Sequence, residues 1–218
     1  MGGGASPSYD ENSYIQDGLI FQLDGIAKGN SADTTTWVDL KGGMVLAQHP
    51  DGNPVQSLAN GWYFDGGARF YNSTLTAYSQ DLTVEACLQL ASGSGDGIFH
   101  SGGNTSGKPV LYFMSTSLLF LQRCHLATGN IATRIKNGNP ISISLNQDRC
   151  LGNNNTYALS SSTNYFTNTG LGTEVGTYNN KWMKGTVHAI RLYSRRLTEE
   201  EQRHNIMVDS KRFNFSLT

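Results

Sequence analysis

Residues 185–209 read GTVHAIRLYSRRLTEEEQRHNIMVD, a β-strand pattern followed by the start of a helix. Apolar residues recur through positions 187–193 as they do in a β-strand. Thr198 follows, and Glu201 lies three residues after it, which is the spacing of a capping box. We therefore predict a strand that leads into a helix running from Glu199 to about Val208.

Alternation of apolar and polar residues predicts further strands. Residues 82–90 read LTVEACLQL, and a strand places successive side chains on opposite faces. One face takes the apolar residues, which we expect to be buried: Leu82, Val84, Ala86, Leu88 and Leu90. The outward face takes Thr83, Glu85, Cys87 and Gln89. Residues 140–147, PISISLNQ, repeat the pattern, and we expect Trp37 and Trp62 in the core.

Composition favours one large β domain. A chain of 218 residues fits a single domain better than two small ones. Charged residues make up 15% and the net charge is −1, which argues against a nucleic-acid-binding surface, because such a surface needs a basic patch. No apolar run approaches the roughly 20 residues that cross a membrane. The 25 glycines indicate numerous turns, as in an antiparallel sandwich.

Four segments precede the C-terminal strand and helix in order: GLIFQLDG (18–25), GWYFDGGARF (61–70), LTVEACLQL (82–90) and GIFHSGG (97–103). Together they resemble the LamG-like jelly roll of the concanavalin A-like lectin/glucanase superfamily, with Phe64-Asp65-Gly66 at that family's FDG hairpin. The resemblance implies an all-β, two-sheet antiparallel jelly-roll sandwich with one short C-terminal helix. It places the domain at 18–218, after a flexible N-terminal segment at 1–17. It does not identify the ligand, because this superfold hosts many unrelated functions.

The N-terminal residues MGGGASPSYDENSY have neither the basic region nor the apolar stretch of a signal peptide. Two interpretations remain open. The chain has been trimmed and MGGG is a cloning remnant, or the protein never crosses a membrane by secretion. A bacteriophage virion protein fits the second, because it assembles in the cytoplasm and leaves by lysis; a gut-bacterial surface protein is the other source considered. The expected location is a virion surface, or the extracellular or cell surface.

The chain has three cysteines, Cys87, Cys124 and Cys150, and none forms a CxxC pair. This argues against a zinc site or a thioredoxin-type site. We expect three reduced cysteines that pack as small apolar side chains. A Cys124–Cys150 disulfide is the alternative left open.

The sequence offers no pair of catalytic carboxylates. Glucanases of the resembled superfamily use an E-x-D-x-x-E pattern on one strand, which places an acid and a nucleophile beside one glycosidic bond. Glu85 has no carboxylate at positions 87 or 89, and Glu174 stands alone. The glutamates 199–201 are assigned to helix capping, and no G-x-S-x-G elbow is present. We therefore predict no catalytic residues and no enzyme activity.

Metal-binding patterns are equally sparse. Five histidines form no H-x-H or H-x-x-x-H pair and are assigned to packing or to the surface: His49, His100, His125, His188 and His204. Calcium is considered, because many members of the resembled family bind one Ca²⁺ through loop oxygens. Three aspartates stand at predicted strand ends: Asp24, Asp65 and Asp96. No D-x-D-x-D-G loop is present, and aspartate beside glycine is ordinary turn chemistry, so we predict no metal and no cofactor.

Sugar binding requires exposed aromatic rings that stack on sugar C–H groups, with amides and hydroxyls beside them. The segment 177–185, TYNNKWMKG, combines these groups. We expect Met183 to be buried, which leaves the candidate ligand-binding residues on a loop: Tyr178, Asn179, Asn180 and Trp182. The alternative is a decorated turn in which Trp182 covers the sandwich edge. A second polar cluster lies in the irregular segment 152–172: Asn154, Asn155, Tyr157, Asn164 and Tyr165.

These features predict a non-catalytic binding or adhesion module. Its expected partner is a glycan or another cell-surface ligand, and a phage head, tail fibre or decoration protein is the expected setting. The alternative is a purely structural module that docks onto other subunits of a virion or cell-surface assembly, and a glycoside hydrolase ranks below both. No nucleic-acid or membrane partner is expected. A rim with aromatics and amides would favour the glycan, and a large flat apolar patch would favour a protein partner.

Overall fold

The computed structural model describes residues 10, 12–28, 34–78, 82–91, 97–100, 109–114, 118–121, 124–127, 138–146, 148–157, 169–175, 177–178 and 181–218. Within them the chain forms β-strands and one helix. The strands are β1 (Leu19–Asp24), β2 (Thr36–Val38), β3 (Val45–Gln48), β4 (Gln56–Leu58), β5 (Gly61–Asp65), β6 (Phe70–Tyr78), β7 (Thr83–Leu90), β8 (Gly97–His100), β9 (Pro109–Met114), β10 (Leu118–Leu121), β11 (Cys124–Ala127), β12 (Ile141–Leu145), β13 (Cys150–Gly152), β14 (Asn155–Tyr157), β15 (Thr169–Val175), β16 (Thr177–Tyr178), β17 (Lys181–Trp182) and β18 (Lys184–Tyr193). The helix is α1 (Glu199–Phe213).

Two antiparallel sheets form a jelly-roll sandwich. Sheet A has the order β14-β13-β12-β7-β18-β5-β4, with β1 also paired to β18. Sheet B has the order β11-β10-β9-β8-β15-β6-β3-β2. Strands β16 and β17 form a separate two-stranded hairpin. The predicted all-β sandwich with a C-terminal helix is therefore confirmed.

The core lies between the sheets, where their apolar faces meet. The five predicted residues of the strand at 82–90 are each at most 1% exposed, which confirms the register. Trp37 of sheet B and Trp62 of sheet A are fully buried, as predicted, with ring centroids 6.1 Å apart. Phe70 lies 6.0 Å from the Trp37 ring and 4.9 Å from the Trp62 ring. These three rings join the two sheets at one end of the sandwich.

Strand β18 organises sheet A because it pairs with three strands. One edge pairs with β7 along most of its length, and the other edge pairs first with β5 and then with β1. The change of partner falls at His188, where the register with β7 shifts between Val187 and Ala189 in a β-bulge. The backbone N–H of Gly25 donates to the His188 carbonyl at 2.7 Å. A Cβ atom on Gly25 would lie 2.5 Å from the Gly61 Cα, and a Cβ atom on Gly61 would lie 2.7 Å from the Val187 carbonyl oxygen, so the close backbone packing at this point requires glycine at both positions.

Helix α1 begins as the capping box predicts. The hydroxyl of Thr198 accepts from the Glu201 backbone N–H at 3.2 Å, and the Glu201 carboxylate accepts from the Thr198 backbone N–H at 2.8 Å. The helix continues past the predicted end at Val208 to Phe213. It stops at Asn214, which takes the left-handed conformation (φ 54°, ψ 60°) that commonly ends helices.

Helix α1 packs on the outer face of sheet A through a buried ion-pair network. Arg191 donates from Nε to Glu85 at 2.8 Å and from both terminal nitrogens to Asp209 of the helix at 2.8 and 2.7 Å. Ser142 donates to Asp209 at 2.6 Å, and Ser144 donates to Glu85 at 2.7 Å. The three charged side chains are each at most 1% exposed. Glu85, which alternation assigned to an outward face, is therefore covered by the helix.

The N-terminal residues join the same network. The Tyr14 hydroxyl donates to Asp209 at 2.9 Å, and its ring lies 3.9 Å from the Arg191 guanidinium carbon. The backbone N–H of Ile15 donates to Asn205 of the helix at 2.9 Å. Both residues are buried although they belong to the segment 1–17 that was predicted to be flexible. The packed structure thus reaches back to Tyr14.

Burial and the neighbouring charges shift the pKa values of Glu85 and Arg191 in this network. Burial raises the pKa of Glu85, while the Arg191 charge and the hydrogen bonds from Arg191 and Ser144 act against the rise. Burial alone would lower the pKa of Arg191, but Asp209 and Glu85 raise it well above its usual value. Since one guanidinium faces two carboxylates, Arg191 stays charged and is the cation on which both acids depend.

Two local predictions are corrected. The segment 152–172 is not irregular throughout, because Asn155–Tyr157 forms β14 against β13 and residues 169–172 belong to β15; residues 158–168 lie outside the described residues. Cys87 and Cys150 are buried free thiols whose pKa burial raises, so Cys150 does not form the disulfide left open with Cys124.

The helix, within the described ranges, lacks the length and apolar character needed to cross a bilayer.

The substitution Leu88→Ala should destabilise the fold by about 2–5 kcal/mol, because it removes a fully buried side chain between the sheets and leaves a cavity. Urea unfolding of the two proteins measures the difference in free energy of unfolding. Leu40→Ala is the matched control, since Leu40 is 39% exposed and should change stability little. Equal effects of the two substitutions would contradict the assigned core.

The substitution Arg191→Met should destabilise the fold by about 3–5 kcal/mol, because it leaves the Glu85 and Asp209 carboxylates buried without their cation. The control is Arg203→Met, which removes the exposed pair of Arg203 with Glu199 and should cost about 0.5 kcal/mol or less. Thermal and urea unfolding measure both. A stability loss at Arg191 no larger than that at Arg203 would show that the network does not hold the helix.

Candidate functional site

The described part of the outer face of sheet B lies on β2, β3 and the start of β6 and is exposed to solvent, whereas helix α1 covers sheet A; we call this part the open face of sheet B. The described positions that alternate with core residues on β2, β3 and the start of β6 are all partly or fully exposed: Thr36, Val38, Val45, Ala47 and Tyr71. Their inward neighbours are fully buried: Trp37, Leu46 and Phe70. The described side chains on this face therefore reach solvent, whereas the polar side chains on the outer face of sheet A are buried beneath helix α1.

Four polar and aromatic side chains meet at the β3–β6 edge of this face, and we call them the His49 cluster: His49, Asp51, Arg69 and Tyr71. The His49 and Tyr71 ring centroids lie 4.7 Å apart. An Arg69 terminal nitrogen lies 2.6 Å from His49 Nε2, and the Asp51 backbone N–H donates to His49 Nδ1 at 3.1 Å. The His49 side chain is 16% exposed and the Asp51 side chain 87% exposed. The cluster thus combines an aromatic ring, an imidazole, a guanidinium and a carboxylate at one surface.

The cluster forms where the chain leaves β3 and where it enters β6. His49 directly follows β3, and its backbone N–H donates to the Arg69 carbonyl at 3.0 Å. Ala47 pairs with Tyr71 two residues away along the same ladder. Because paired positions share a face, residues 47 and 49 lie on the same side as residues 69 and 71.

The row continues across sheet B by register. Tyr71 pairs with Glu174 of β15, and Glu174 pairs with His100 of β8. A row of paired positions therefore crosses four strands, from Ala47 through Tyr71 and Glu174 to His100. Glu174, which the sequence left without a partner carboxylate, occupies the row next to Tyr71.

The predicted ligand-binding segment lies at the end of the same strands. Tyr178 and Trp182 belong to the hairpin of β16 and β17, in which Thr177 pairs with Trp182 and Tyr178 with Lys181. Strand β16 follows β15 and lies against β8. Met183 is fully buried, as predicted. The backbone of this hairpin therefore lies at the edge of sheet B, next to β8. Asn179 and Asn180 lie outside the described residues.

The second predicted cluster is divided. Asn154 is exposed at the β13–β14 turn, while Tyr157 is buried beneath it. Asn164 and Tyr165 lie outside the described residues. Asn154 instead borders a groove of about 660 Å³ along helix α1, on the opposite side of the sandwich from sheet B. We call this the helix groove; its lining includes Glu200, Met207 and Leu217.

The aspartates considered for calcium have other partners. Asp24 accepts from the backbone N–H groups of Ile26 and Ala27 at 2.8 Å and pairs with Arg212 at 2.7 Å. Asp65 accepts from the Gly67 backbone N–H at 2.9 Å. Both therefore serve turns, as predicted, and Asp96 lies outside the described residues. Within the described ranges, no group of three or more His, Cys, Asp or Glu side chains is placed to hold a metal ion.

The structure also locates Glu85, the glutamate of the predicted central strand. Its carboxylate is 1% exposed and accepts hydrogen bonds from Arg191, Ser144 and Asn205. A general acid or nucleophile must reach the glycosidic oxygen or the anomeric carbon of its substrate. Glu85 has no access to either, so its role is to hold the helix.

The His49 cluster was missed by the sequence. His49 was assigned to packing or the surface because it has no neighbouring histidine, and Arg69 and Tyr71 drew no attention. The three residues come together only through the ladder of β3 with β6. The available sequence signal was the basic and aromatic pair Arg69 and Tyr71 flanking the buried Phe70, which marks a strand with one polar face.

Comparison of the sequence with protein-family models and with curated proteins gives no match. Comparison with solved structures finds the same fold at low identity. A sialidase of Trypanosoma rangeli matches with a TM-score of 0.55 and 14% identity, over 89% of this chain and 33% of the sialidase chain.

Two toxin domains match equally well. The binding domain of Paraclostridial Mosquitocidal Protein 1 gives a TM-score of 0.56 at 11% identity, over 90% of this chain and 53% of that chain. The binding domain of botulinum neurotoxin DC, solved in complex with rat synaptotagmin II, gives 0.56 at 10% identity, over 87% and 52%. The chain spans about a third of the sialidase and about half of each toxin domain. These likenesses establish the β-sandwich architecture.

Proposed function

We propose that this chain is a non-catalytic glycan-binding module whose binding surface is the open face of sheet B. The observation that carries the proposal is the His49 cluster, in which an aromatic ring lies beside hydrogen-bonding side chains on a solvent-facing sheet. Sugar rings stack their C–H groups on such rings, and the polar groups take the hydroxyls. The hairpin of β16 and β17, with Tyr178, Asn179, Asn180 and Trp182, is the proposed rim of the same surface.

The comparisons support a binding role in general terms. Two structural neighbours are binding domains of toxins, and one of them binds synaptotagmin II. The sialidase neighbour is an enzyme of which this fold covers only a third. We assign the chain to the LamG-like modules because its sequence segments occur in the order typical of that family. We propose a virion or cell surface as its setting because an adhesive module acts at a surface.

A second candidate function is docking onto another protein through the helix groove. The observation that favours it is Met207, a large apolar side chain that is 45% exposed on helix α1 beside Leu217. Exposed apolar surface is a feature of protein interfaces. Because the groove and the open face of sheet B lie on opposite sides of the sandwich, substitutions separate the two functions.

Tyr71→Ala and Trp182→Ala should each weaken glycan binding about tenfold or more, a loss of at least about 1.4 kcal/mol, while thermal stability stays nearly unchanged. The reason is that each removes a flat apolar surface for a sugar ring. A glycan array identifies the ligand, and calorimetry with that ligand measures the affinities. Met207→Ala in the helix groove is the control and should bind as the unmodified chain does.

Three other outcomes would change the assignment. Loss of stability in Trp182→Ala would make this residue an edge cover of the sandwich, and the proposed rim would be wrong. Loss of binding in Met207→Ala with retention in Tyr71→Ala would move the site to the helix groove. Failure of the unmodified chain to bind any glycan would overturn the glycan proposal.

The chain should release no reducing sugar from a panel of β-glucans, galactans and similar polymers. Glu85 is inaccessible beneath helix α1, and Glu174 pairs in register with Tyr71 and His100, neither of which carries a carboxylate. A reducing-sugar assay over long incubation tests this. Release that disappears in Glu174→Gln, with the fold intact, would make the protein a hydrolase.

A further inference from the structure

The β-bulge in β18 places an imidazole directly beneath the last turn of helix α1. Val187 and Ile190 belong to the core between the sheets, whereas Ala189 packs with Phe213 of the helix on the outer face of sheet A. His188 lies on the same side, and its ring centroid is 5.2 Å from that of Phe213. The residue is 4% exposed, so the end of the helix covers it.

The hydrogen bonds of this imidazole fix its tautomer. His188 Nδ1 lies 2.8 Å from the backbone carbonyl oxygen of Asn60, which can only accept, so Nδ1 carries the proton. Nε2 then holds a lone pair, and among the described residues no group forms a hydrogen bond with it. A second proton on the ring would place a charged N–H group in a buried site without an acceptor, which is energetically costly.

A small set of contacts holds the last turn of α1 and the tail that follows it. Arg212 donates from Nε and from a terminal nitrogen to Asp24 of β1, at 2.7 and 3.0 Å. Phe213 and Phe215 pack against Cys87 of β7, which is fully buried. The ion-pair network described above acts one turn earlier in the helix. The end of α1 therefore has its own contacts, and His188 lies among them.

We propose that His188 is a pH-sensitive switch whose protonation releases the last turn of α1 and the tail, residues 211–218, from sheet A. In the released state both ring nitrogens reach water, which hydrates the charge. The earlier turns stay in place, because the capping box and the ion-pair network hold them. Release uncovers Cys87 and carries Leu217 away from the helix groove. The switch is independent of the proposed glycan-binding function.

The ionisable groups around His188 come from every element packed against it: Tyr14, Asp24 on β1, Glu85 and Cys87 on β7, Arg191 on β18, and Asp209 and Arg212 on α1. The three carboxylates are held by the two arginines. Burial lowers the pKa of His188, and the Asn60 hydrogen bond and the Asp209 charge act against this change. Cys87 and Tyr14 stay uncharged, because burial raises the pKa of both groups.

The direction of the pH dependence follows from the two states of His188. In the released state its pKa returns to the usual histidine value of about 6.5, whereas in the closed state the pKa is lower. Above about pH 6.5 neither state takes up the proton, and the closed contacts keep their full strength. Below it only the released state gains a proton, so the ratio of released to closed molecules rises by up to about tenfold per pH unit until the closed-state pKa is reached.

Labelling of Cys87 measures the release directly. The probe is 4,4′-dithiodipyridine, which modifies thiols in mild acid, applied in brief pulses from about pH 7.5 down to about pH 5, across the range in which histidine titrates. Mass spectrometry quantifies each cysteine, and rates are divided by that of a free thiol at the same pH. We expect Cys87 labelling to rise about tenfold in acid. Cys150 is the internal control, because it is buried between the two sheets and should stay unlabelled unless the whole domain unfolds.

Two substitutions test whether His188 is the titrating group. In His188→Asn the amide can still donate to the Asn60 carbonyl but does not titrate, so Cys87 labelling should lose its rise in acid. His188→Phe keeps a ring against Phe213 without a titrating group, which provides a second variant if His188→Asn does not fold. The matched control is His204→Gln, at a second buried histidine of α1 that contacts the N-terminal segment, and it should keep the rise.

A second measurement needs no substitution. In an NMR titration of the unmodified chain, the ring signals of His188 and Phe213 should change together, at the pH where Cys87 becomes reactive. Titration of His188 without a rise in Cys87 labelling would overturn the switch.

The remaining outcomes also decide the proposal. Equal labelling of Cys87 and Cys150 would show unfolding of the whole domain and overturn a local release. Retention of the acid response in His188→Asn or His188→Phe would assign it to another group, and so would its loss in His204→Gln. A rise confined to Cys87 that the His188 variants lose and His204→Gln keeps would support the switch.

Discussion

The buried pairing of Arg191 with Glu85 and Asp209 holds helix α1 against the outer face of sheet A. Three charges at most 1% exposed are stable only when their partners stay in place, because an unpaired buried charge costs several kcal/mol. Arg191 lies on β18, Glu85 on β7 and Asp209 on α1, so one side chain fixes the helix to the two central strands of sheet A. Tyr14 joins through Asp209, which binds the start of the chain to its end.

This arrangement divides the molecule into a closed side and an open side. The outer face of sheet A is occupied by α1 and by the residues around Tyr14, and its polar groups are used internally. Sheet B keeps an outer face whose described positions reach solvent. Aromatic and charged side chains reach solvent at the β3–β6 edge of sheet B, where the His49 cluster lies, and the hairpin of β16 and β17 lies against β8 of the same sheet. The helix groove remains the alternative surface on the closed side.

The architecture alone does not decide between these surfaces. The same fold occurs within a sialidase and in the binding domains of two toxins, at 10–14% identity. Function in such a sandwich depends on the side chains at particular sites. For this chain the informative observations are the contacts of His49 with Arg69 and Tyr71, together with the burial of Glu85, which removes the most centrally placed glutamate from any catalytic role.

Features that depend on residues close together in the chain could be predicted from the sequence. The alternation at 82–90 fixed which side chains enter the core, and Thr198 with Glu201 fixed the start of α1, because strand periodicity and helix capping act over a few residues. What covers each face of a sheet depends on contacts between distant segments and could not be predicted in this way. Alternation separates two faces of a strand but does not reveal that a helix more than 100 residues later buries Glu85. Likewise His49 and Arg69 lie 20 residues apart and become neighbours only through the β3–β6 ladder. Pairings between distant strands depend on packing across the whole chain, and for that reason the His49 cluster emerged only from the fold.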